Sequence, residues 1–227
     1  MKRMGLISVQ HVSKIFGESP GAVAALNDVS LDIDSGEFVA IMGPSGSGKT
    51  TLLSILGTMT APTRGEVVVD GVSLFAQSAD ELANFRARRL GFVFQQFYLM
   101  PYLNAIENVM LPLLTSSERA SLKERASSAL QVVGLAHKSD SLPGQLSSGE
   151  QARVAVARAL VKAPPIILAD EPTGNLDSRT GQEIVRLLQA ANERGHTIIM
   201  VTHNKDAGGG AQRLIYLRDG MIMAGDE

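Results

Sequence analysis

Gly43-Pro44-Ser45-Gly46-Ser47-Gly48-Lys49-Thr50 reads G-x-x-x-x-G-K-[ST] and stands where an apolar strand run, Glu37 to Met42, hands over to a helical pattern, Thr51 to Met59. In that context the stretch is a phosphate cradle. Its glycines open backbone conformations that let successive N–H groups, including that of Thr51, converge on phosphate oxygens at the positive end of a helix. Lys49 would reach the β- and γ-phosphates, and the Thr50 hydroxyl would ligate Mg²⁺. A glycine-rich turn beside a surface lysine would spell the same letters, so the remaining residues have to decide.

The 227 residues suffice for one large domain, read here as a single unit with two lobes. A formal charge of −2 gives no overall basic field, which argues against wrapping nucleic acid or lying on an anionic membrane. With no cysteine there is neither a disulfide framework nor a thiolate metal site, as expected of a cytoplasmic protein. The N-terminal MKRMGLISVQHVSK lacks the apolar segment of an export signal. No stretch approaches the ~20 consecutive apolar residues of a spanning helix; the nearest, Val109 to Leu114, is broken by Pro112. A membrane role therefore needs a partner.

Val-, Ile- and Leu-rich segments at Glu37 to Met42, Pro165 to Ala169, Thr197 to Val201 and Arg213 to Leu217 alternate with helical patterns, which predicts an α/β fold with a mostly parallel sheet. Ile7 to Val12, Val23 to Ile33 and Glu66 to Val69, with turns such as Asp70-Gly71, predict an antiparallel lobe near the N-terminus. Between Asn104 and Val161 the pattern is helical and reads as an insertion. One helix is expected over Ser117 to Val133, ending at Gly134, and another from about Ser147, where Ser147/Glu150 and Ser148/Gln151 both have capping-box spacing. Asp219-Gly220 between two apolar runs predicts a hairpin.

Ile166-Ile-Leu-Ala-Asp170-Glu171 is an apolar strand ending in two acids. Ligands of parallel sheets gather outside the carboxyl ends of the strands, which puts both acids near the cradle. Asp170 would hold hydrated Mg²⁺, and Glu171 could polarise a water for in-line attack on the γ-phosphate. Leu146-Ser147-Ser148-Gly149-Glu150 opens a second capped helix, another anion site. One nucleotide's phosphates are already covered by residues 43–51, so this second helix end makes most sense facing the nucleotide of another subunit.

Taken together, these motifs resemble the ATP-binding subunits of ABC transporters over nearly the whole chain. The resemblance implies a P-loop, RecA-like core with an antiparallel β lobe and an inserted helical subdomain, residues 1–94 and 162–227 forming the core and 95–161 the insertion. It makes residues 43–50 the Walker A motif, Gln95 the Q-loop glutamine contacting Mg²⁺ and the attacking water, and 146–150 the LSGGQ signature. Asp170 and Glu171 match the Walker B aspartate and catalytic glutamate, Asp177 the D-loop, His203 the switch histidine that senses the γ-phosphate, and Phe16 the aromatic that stacks on adenine. ATP and Mg²⁺ are the implied ligands, and the implied partner is a second copy of the chain in a head-to-tail dimer.

Two departures stand out. Ser148 replaces the first glycine of the signature and adds a Cβ where the partner's phosphate must approach; Glu150 stands where LSGGQ has glutamine. Ala207-Gly-Gly-Gly210, after His203, carries three glycines that should weaken a helix by about 1 kcal/mol each relative to alanine. Five of the ten aromatic residues, Phe92, Phe94, Phe97, Tyr98 and Tyr102, crowd one short segment. With Leu99, Met100 and Pro101 it reads as a loop offering apolar side chains to a protein partner, burial between the lobes being the alternative. The resemblance assigns the region from Phe97 to Tyr102 to a membrane permease, with the chain peripheral on the inner face of the cell membrane. Gly91-Phe-Val-Phe-Gln and Ala169-Asp-Glu-Pro-Thr-Gly-Asn-Leu-Asp177 are similar to the lipoprotein-release and macrolide-export branch. Importer ATPases and non-transport ABC ATPases remain the rival readings; the latter usually add a long coiled coil or basic surface, and nothing basic is evident here.

Overall fold

The computed structural model describes residues 5–18, 20–115 and 121–223. The chain opens with β1 (Ile7–Phe16) and β2 (Val23–Ile33), paired antiparallel. β3 (Phe38–Met42) is buried at every position and leads through the glycine-rich loop into α1 (Lys49–Leu56). β4 (Arg64–Val69) and β5 (Val72–Ser73) form a hairpin whose turn, Asp70-Gly71, has φ of 53° and 77°, the left-handed pair that suits strand twist. Then come α2 (Ala79–Arg89), β6 (Leu90–Val93), α3 (Ala105–Met110), α4 (Leu122–Val132) and α5 (Ser148–Leu160). The last elements are β7 (Ile166–Asp170), α6 (Ser178–Glu193), β8 (Thr197–Thr202), α7 (Lys205–Gly208) and a hairpin of β9 (Arg213–Arg218) and β10 (Met221–Ile222).

The strands make an antiparallel sheet, β2-β1-β4-β5, and a six-stranded sheet, β10-β9-β3-β8-β7-β6, parallel except for β10. Side chains alternate across a strand, so each central strand feeds two cores. Ala40, Ile167, Ala169, Ile198 and Met200 face α3–α6, whereas Ile41, Ile166, Leu168, Ile199 and Val201 face α1 and the antiparallel lobe. Burial on both faces explains why these strands read as unbroken apolar runs.

The α/β fold, the N-terminal lobe and the final hairpin stand as expected, with shifted boundaries. β1 runs on to Phe16, and α1 starts inside the phosphate motif at Lys49 and stops at Leu56. The helix expected over 117–133 is described from Leu122 to Val132; residues 117–120 lie outside the described residues. Of the two capping boxes, Ser147/Glu150 forms, but Gln151 turns its amide to the carbonyls of Pro143 and Leu146 at 3.0 and 3.1 Å. α2 was not foreseen. None of its residues is fully buried; it packs on the core through half-buried Leu82 and Phe85 alone, too narrow an apolar stripe to stand out, although its Ser78/Glu81 capping box is present in the sequence.

The aromatic segment corrects one expectation: Phe97 is buried in the helical core rather than offered to a partner, while Tyr98, Met100 and Tyr102 are exposed. Phe92 stacks on Phe94 at 5.5 Å, and Tyr98 meets Phe94 edge-on at 5.3 Å. Phe97 and Tyr98 both hold positive φ (57° and 46°), a conformation costly to side chains with a Cβ. Arg158 of α5 fixes it by donating to the carbonyl oxygens of both residues.

The glycine run after His203 also acquires a reason. A Cβ on Gly208 would lie 2.5 Å from Met42 Sδ, and one on Gly210 would lie 2.5 Å from Val185 Cγ1, so α7 is pressed against β3 and α6. Gly209 is exposed, with φ −60° and nothing closer than 3.5 Å. Gly209→Ala should therefore stabilise the protein by up to about 1 kcal/mol, whereas Gly210→Ala should cost about 1–3 kcal/mol through overpacking; urea unfolding midpoints at one protein concentration compare them. By the same measurement Arg158→Met should cost about 2–4 kcal/mol, since it strands two carbonyls bound by a cation, and should speed proteolytic cleavage near Tyr98.

Candidate nucleotide site

The site forms where the carboxyl ends of β3, β7 and β8 lie side by side. α1 has no side-chain cap: its N-cap is Gly48, at φ 101°, and a Cβ there would sit 2.3 Å from the carbonyl oxygen of Ala25 on β2. Glycine is the residue that fits, and the uncapped N–H groups of the first turn stay available to an anion. Lys49 is nearly buried, its ammonium donating at 2.8 Å to the carbonyls of Gly43 and Pro44. Ser47 Oγ is buried and has no hydrogen-bond partner among the described residues. A dry cation folded back on its own loop, an orphaned hydroxyl and free helix N–H groups all fit a phosphate chain in this cradle.

Thr50 Oγ1 donates to Asp170 Oδ1 at 3.1 Å, joining the cradle to the end of β7. Burial pushes the Asp170 carboxyl above its ordinary range, opposed by the Thr50 hydrogen bond; Glu171 adds to the rise and Lys49 resists it. A carboxylate so placed favours a cation beside it. No group of three or more His, Asp or Glu among the described residues could hold a metal alone, so a cation between Thr50 and Asp170 would draw its other ligands from neutral oxygens such as the Gln95 amide, from phosphate and from water.

Glu171 follows at φ 43°, its N–H donating to the carbonyl of Val201 on β8 at 2.9 Å. That left-handed turn aims the carboxylate at His203, which donates its backbone N–H at 3.1 Å and places Nδ1 2.8 Å from the same oxygen. Gln95 is held from the turn after Glu171: Asn175 Nδ2 donates to its carbonyl at 2.9 Å, and Gly174 permits close approach, since a Cβ there would lie 2.9 Å from Gln95 Nε2. Residues 45–51 with Ala25, Gln95, Glu171 and His203 line one cavity of about 370 Å³.

The remaining predicted site residues do not line it. Phe16 is exposed near the end of β1, with the Lys14 ammonium 4.9 Å from its ring centroid. Asp177 caps α6, accepting from the backbone N–H groups of Arg179 and Thr180 and, at 2.6 Å, from the Thr180 hydroxyl; the Thr180 bonds hold its carboxyl below the ordinary range. Ser147 caps α5, and a Cβ on Gly149 would lie 2.5 Å from Thr180 Cγ2, so the starts of α5 and α6 interlock. Sequence reasoning missed Asn175 and Arg158. The second had a signal: Arg158 is four residues beyond Val154, on the face of α5 that periodicity buries.

Three comparisons bear on the family and the fold. A family described as ABC transporter matches residues 26–174. The ABC transporter ATP-binding protein MJ0796 of Methanocaldococcus jannaschii is 47% identical over 223 residues, covering 96% of this chain and 95% of that one. The macrolide export ATP-binding/permease protein MacB of Chlorobaculum tepidum is 47% identical over 218 residues; these span 96% of this chain but only 34% of that protein. A solved dimeric structure of the ATP-binding cassette MJ0796 in a post-hydrolysis state, bound to ADP and Pi, superposes with a TM-score of 0.90 at 44% identity, covering 97% of this chain and 98% of the other. The strand ends, the cradle and these relatives lead to one assignment: the chain belongs to the ABC transporter family, as an ATP-binding cassette.

Proposed function

We propose that this cassette hydrolyses ATP as a dimer of two copies and drives a membrane permease of the export type. The convergence of Lys49, Thr50, Gln95, Glu171 and His203 on one cavity carries this reading. Residues 1–94 and 162–227 serve as the nucleotide-binding core with its β lobe, and 95–161 as the helical subdomain. The relatives named as macrolide exporters favour export over import or a non-transport role, and the dimeric cassettes support a second copy as partner.

On this reading Lys49 exchanges its two carbonyl acceptors for phosphate oxygens, and the N–H groups from Ser45 to Thr51 orient the chain of phosphates. Thr50, Gln95 and Asp170 would hold Mg²⁺, which when bound would supply positive charge to the phosphate oxygens. Glu171 Oε1 releases its contact with His203 and accepts the proton of the attacking water; His203, freed, donates towards the γ-phosphate. Phe16 stacks on adenine. The triphosphate's outer side is covered by Ser147, Gly149 and Glu150 of the second copy, with Asp177 at the same interface; these residues lie outside their own chain's cavity, so each copy needs the other to complete a site.

On the same reading the permease docks on the groove that the aromatic segment walls. A cavity of about 480 Å³ lies between Arg86 and Phe92 on one side and Tyr98 and Arg158 on the other, with Met100 and Tyr102 exposed nearby. Attachment to the inner face of the cell membrane through that surface belongs to the same reading; no helix among the described residues is long and apolar enough to cross a membrane.

Glu171→Gln should keep ATP affinity and lower turnover about 100-fold or more; an unaltered hydrolysis rate would remove Glu171 from the base role. Ser148→Gly should raise turnover severalfold by relieving the crowding of an exposed Cβ at the signature turn. Steady-state phosphate release and ATP titration check this, and no change in either would show that Ser148 does not hinder closure.

A further inference from the structure

We infer that Lys138 is a positioning residue for dimer closure: its ammonium offsets the Glu150 carboxylate at the start of α5, allowing a triphosphate held by the other copy to approach. The inference rests on the two-copy site proposed above. Glu150 is a paradox at that place. Its Oε2 accepts from the Ser147 N–H at 2.8 Å while Ser147 Oγ accepts from the Glu150 N–H at 3.2 Å, a reciprocal cap that steadies the helix but fixes an anion within one turn of the N–H groups a phosphate must reach. Glutamine would cap equally well without the charge.

Lys138 supplies the ion-pairing opposite charge. Lys138 Nζ stands 3.9 Å from Glu150 Oε1, the oxygen left over from the cap. The other neighbouring cation, Arg153, is engaged with Glu183 of α6 at 3.1 Å. Lys138 sits on a short helical turn, Ala136–Lys138, whose position is fixed by its own N–H to the carbonyl of Leu135, by Ser141 N–H to its carbonyl, and by buried Leu135 beneath. Both partners are only partly exposed, 35% and 19%, so water screens the pair less than a fully surface pair. The Ser147 amide first, with Lys138 and Arg153 adding, holds the Glu150 carboxyl below its ordinary range, so the anion is present throughout the neutral pH range and its compensation is needed at every closure.

A symmetric dimer contains the arrangement twice, so any loss per site is squared in the dimerisation constant. In the hydrolysis-deficient Glu171→Gln protein, sedimentation velocity with saturating Mg·ATP gives the dimer dissociation constant. Lys138→Met should raise it about tenfold, or about threefold per site, the range expected of a partly exposed pair; Lys138→Arg should stay within about twofold. On a Glu150→Gln background Lys138→Met should have no effect, because no charge remains to offset. Affinity of the monomer for a fluorescent ATP analogue and the thermal midpoint should not move. A Lys138→Met dimer as tight as the parent, or an equal loss on the Glu150→Gln background, overturns the inference and leaves the two-copy site standing. Failure of the parent itself to dimerise with ATP overturns both.

Discussion

A hydrogen bond of 3.1 Å joins Thr50, in the first turn of α1, to Asp170, at the end of β7, across 120 residues of sequence. It exists because β3 and β7 are both hydrogen-bonded to β8 and run parallel, so their carboxyl ends share one edge of the sheet. Slide one strand by a residue and its inward and outward faces exchange, sending Ile167 or Leu168 to the wrong core. The two-sided apolar packing of the sheet thus fixes the register, and the register brings a hydroxyl, a half-buried carboxylate and a phosphate cradle to one place. Glu171 and His203 enter by the same route, one residue beyond each strand end.

The helical block is joined to that site through the segment after Gln95. Ser147 starts α5 and Arg158 lies near its other end, so one rigid helix touches both the signature turn and the aromatic segment after Gln95. The segment is also tethered at its start, through the Gln95 carbonyl to Asn175, three residues after the Pro172 that follows Glu171. Movement of α5 towards a partner's nucleotide would therefore pull on Phe97 and Tyr98, which already hold an unfavourable backbone conformation. Such a segment is suited to having two discrete positions and to changing the shape of the groove beside it.

Much of this was legible in the sequence. The cradle, the acids after an apolar strand, the Ser147/Glu150 cap and the Asp219-Gly220 hairpin each pair a residue type with a physical need at a fixed spacing. The illegible parts follow from the same physics. α2 docks through only Leu82 and Phe85, half-buried and one turn apart, too short an apolar period to read; Phe97 has the composition of a partner-binding residue, and only tertiary packing turns it inward. The glycines at 208 and 210 look like helix breakers until Met42 and Val185 are set against them. Asn175 and Lys138 act through single contacts whose meaning depends on which turn the fold places opposite.

In the proposed dimer one copy's phosphate cradle faces the other copy's signature turn. The chain contains no cysteine, so two single variants, Ser45→Cys and Ser147→Cys, can be mixed and treated with a short bifunctional maleimide without background. A linked heterodimer should form with Mg·ATP and not without nucleotide. Linkage that is absent under saturating ATP, or equal with and without it, would rule out a cradle that faces the other copy's signature turn.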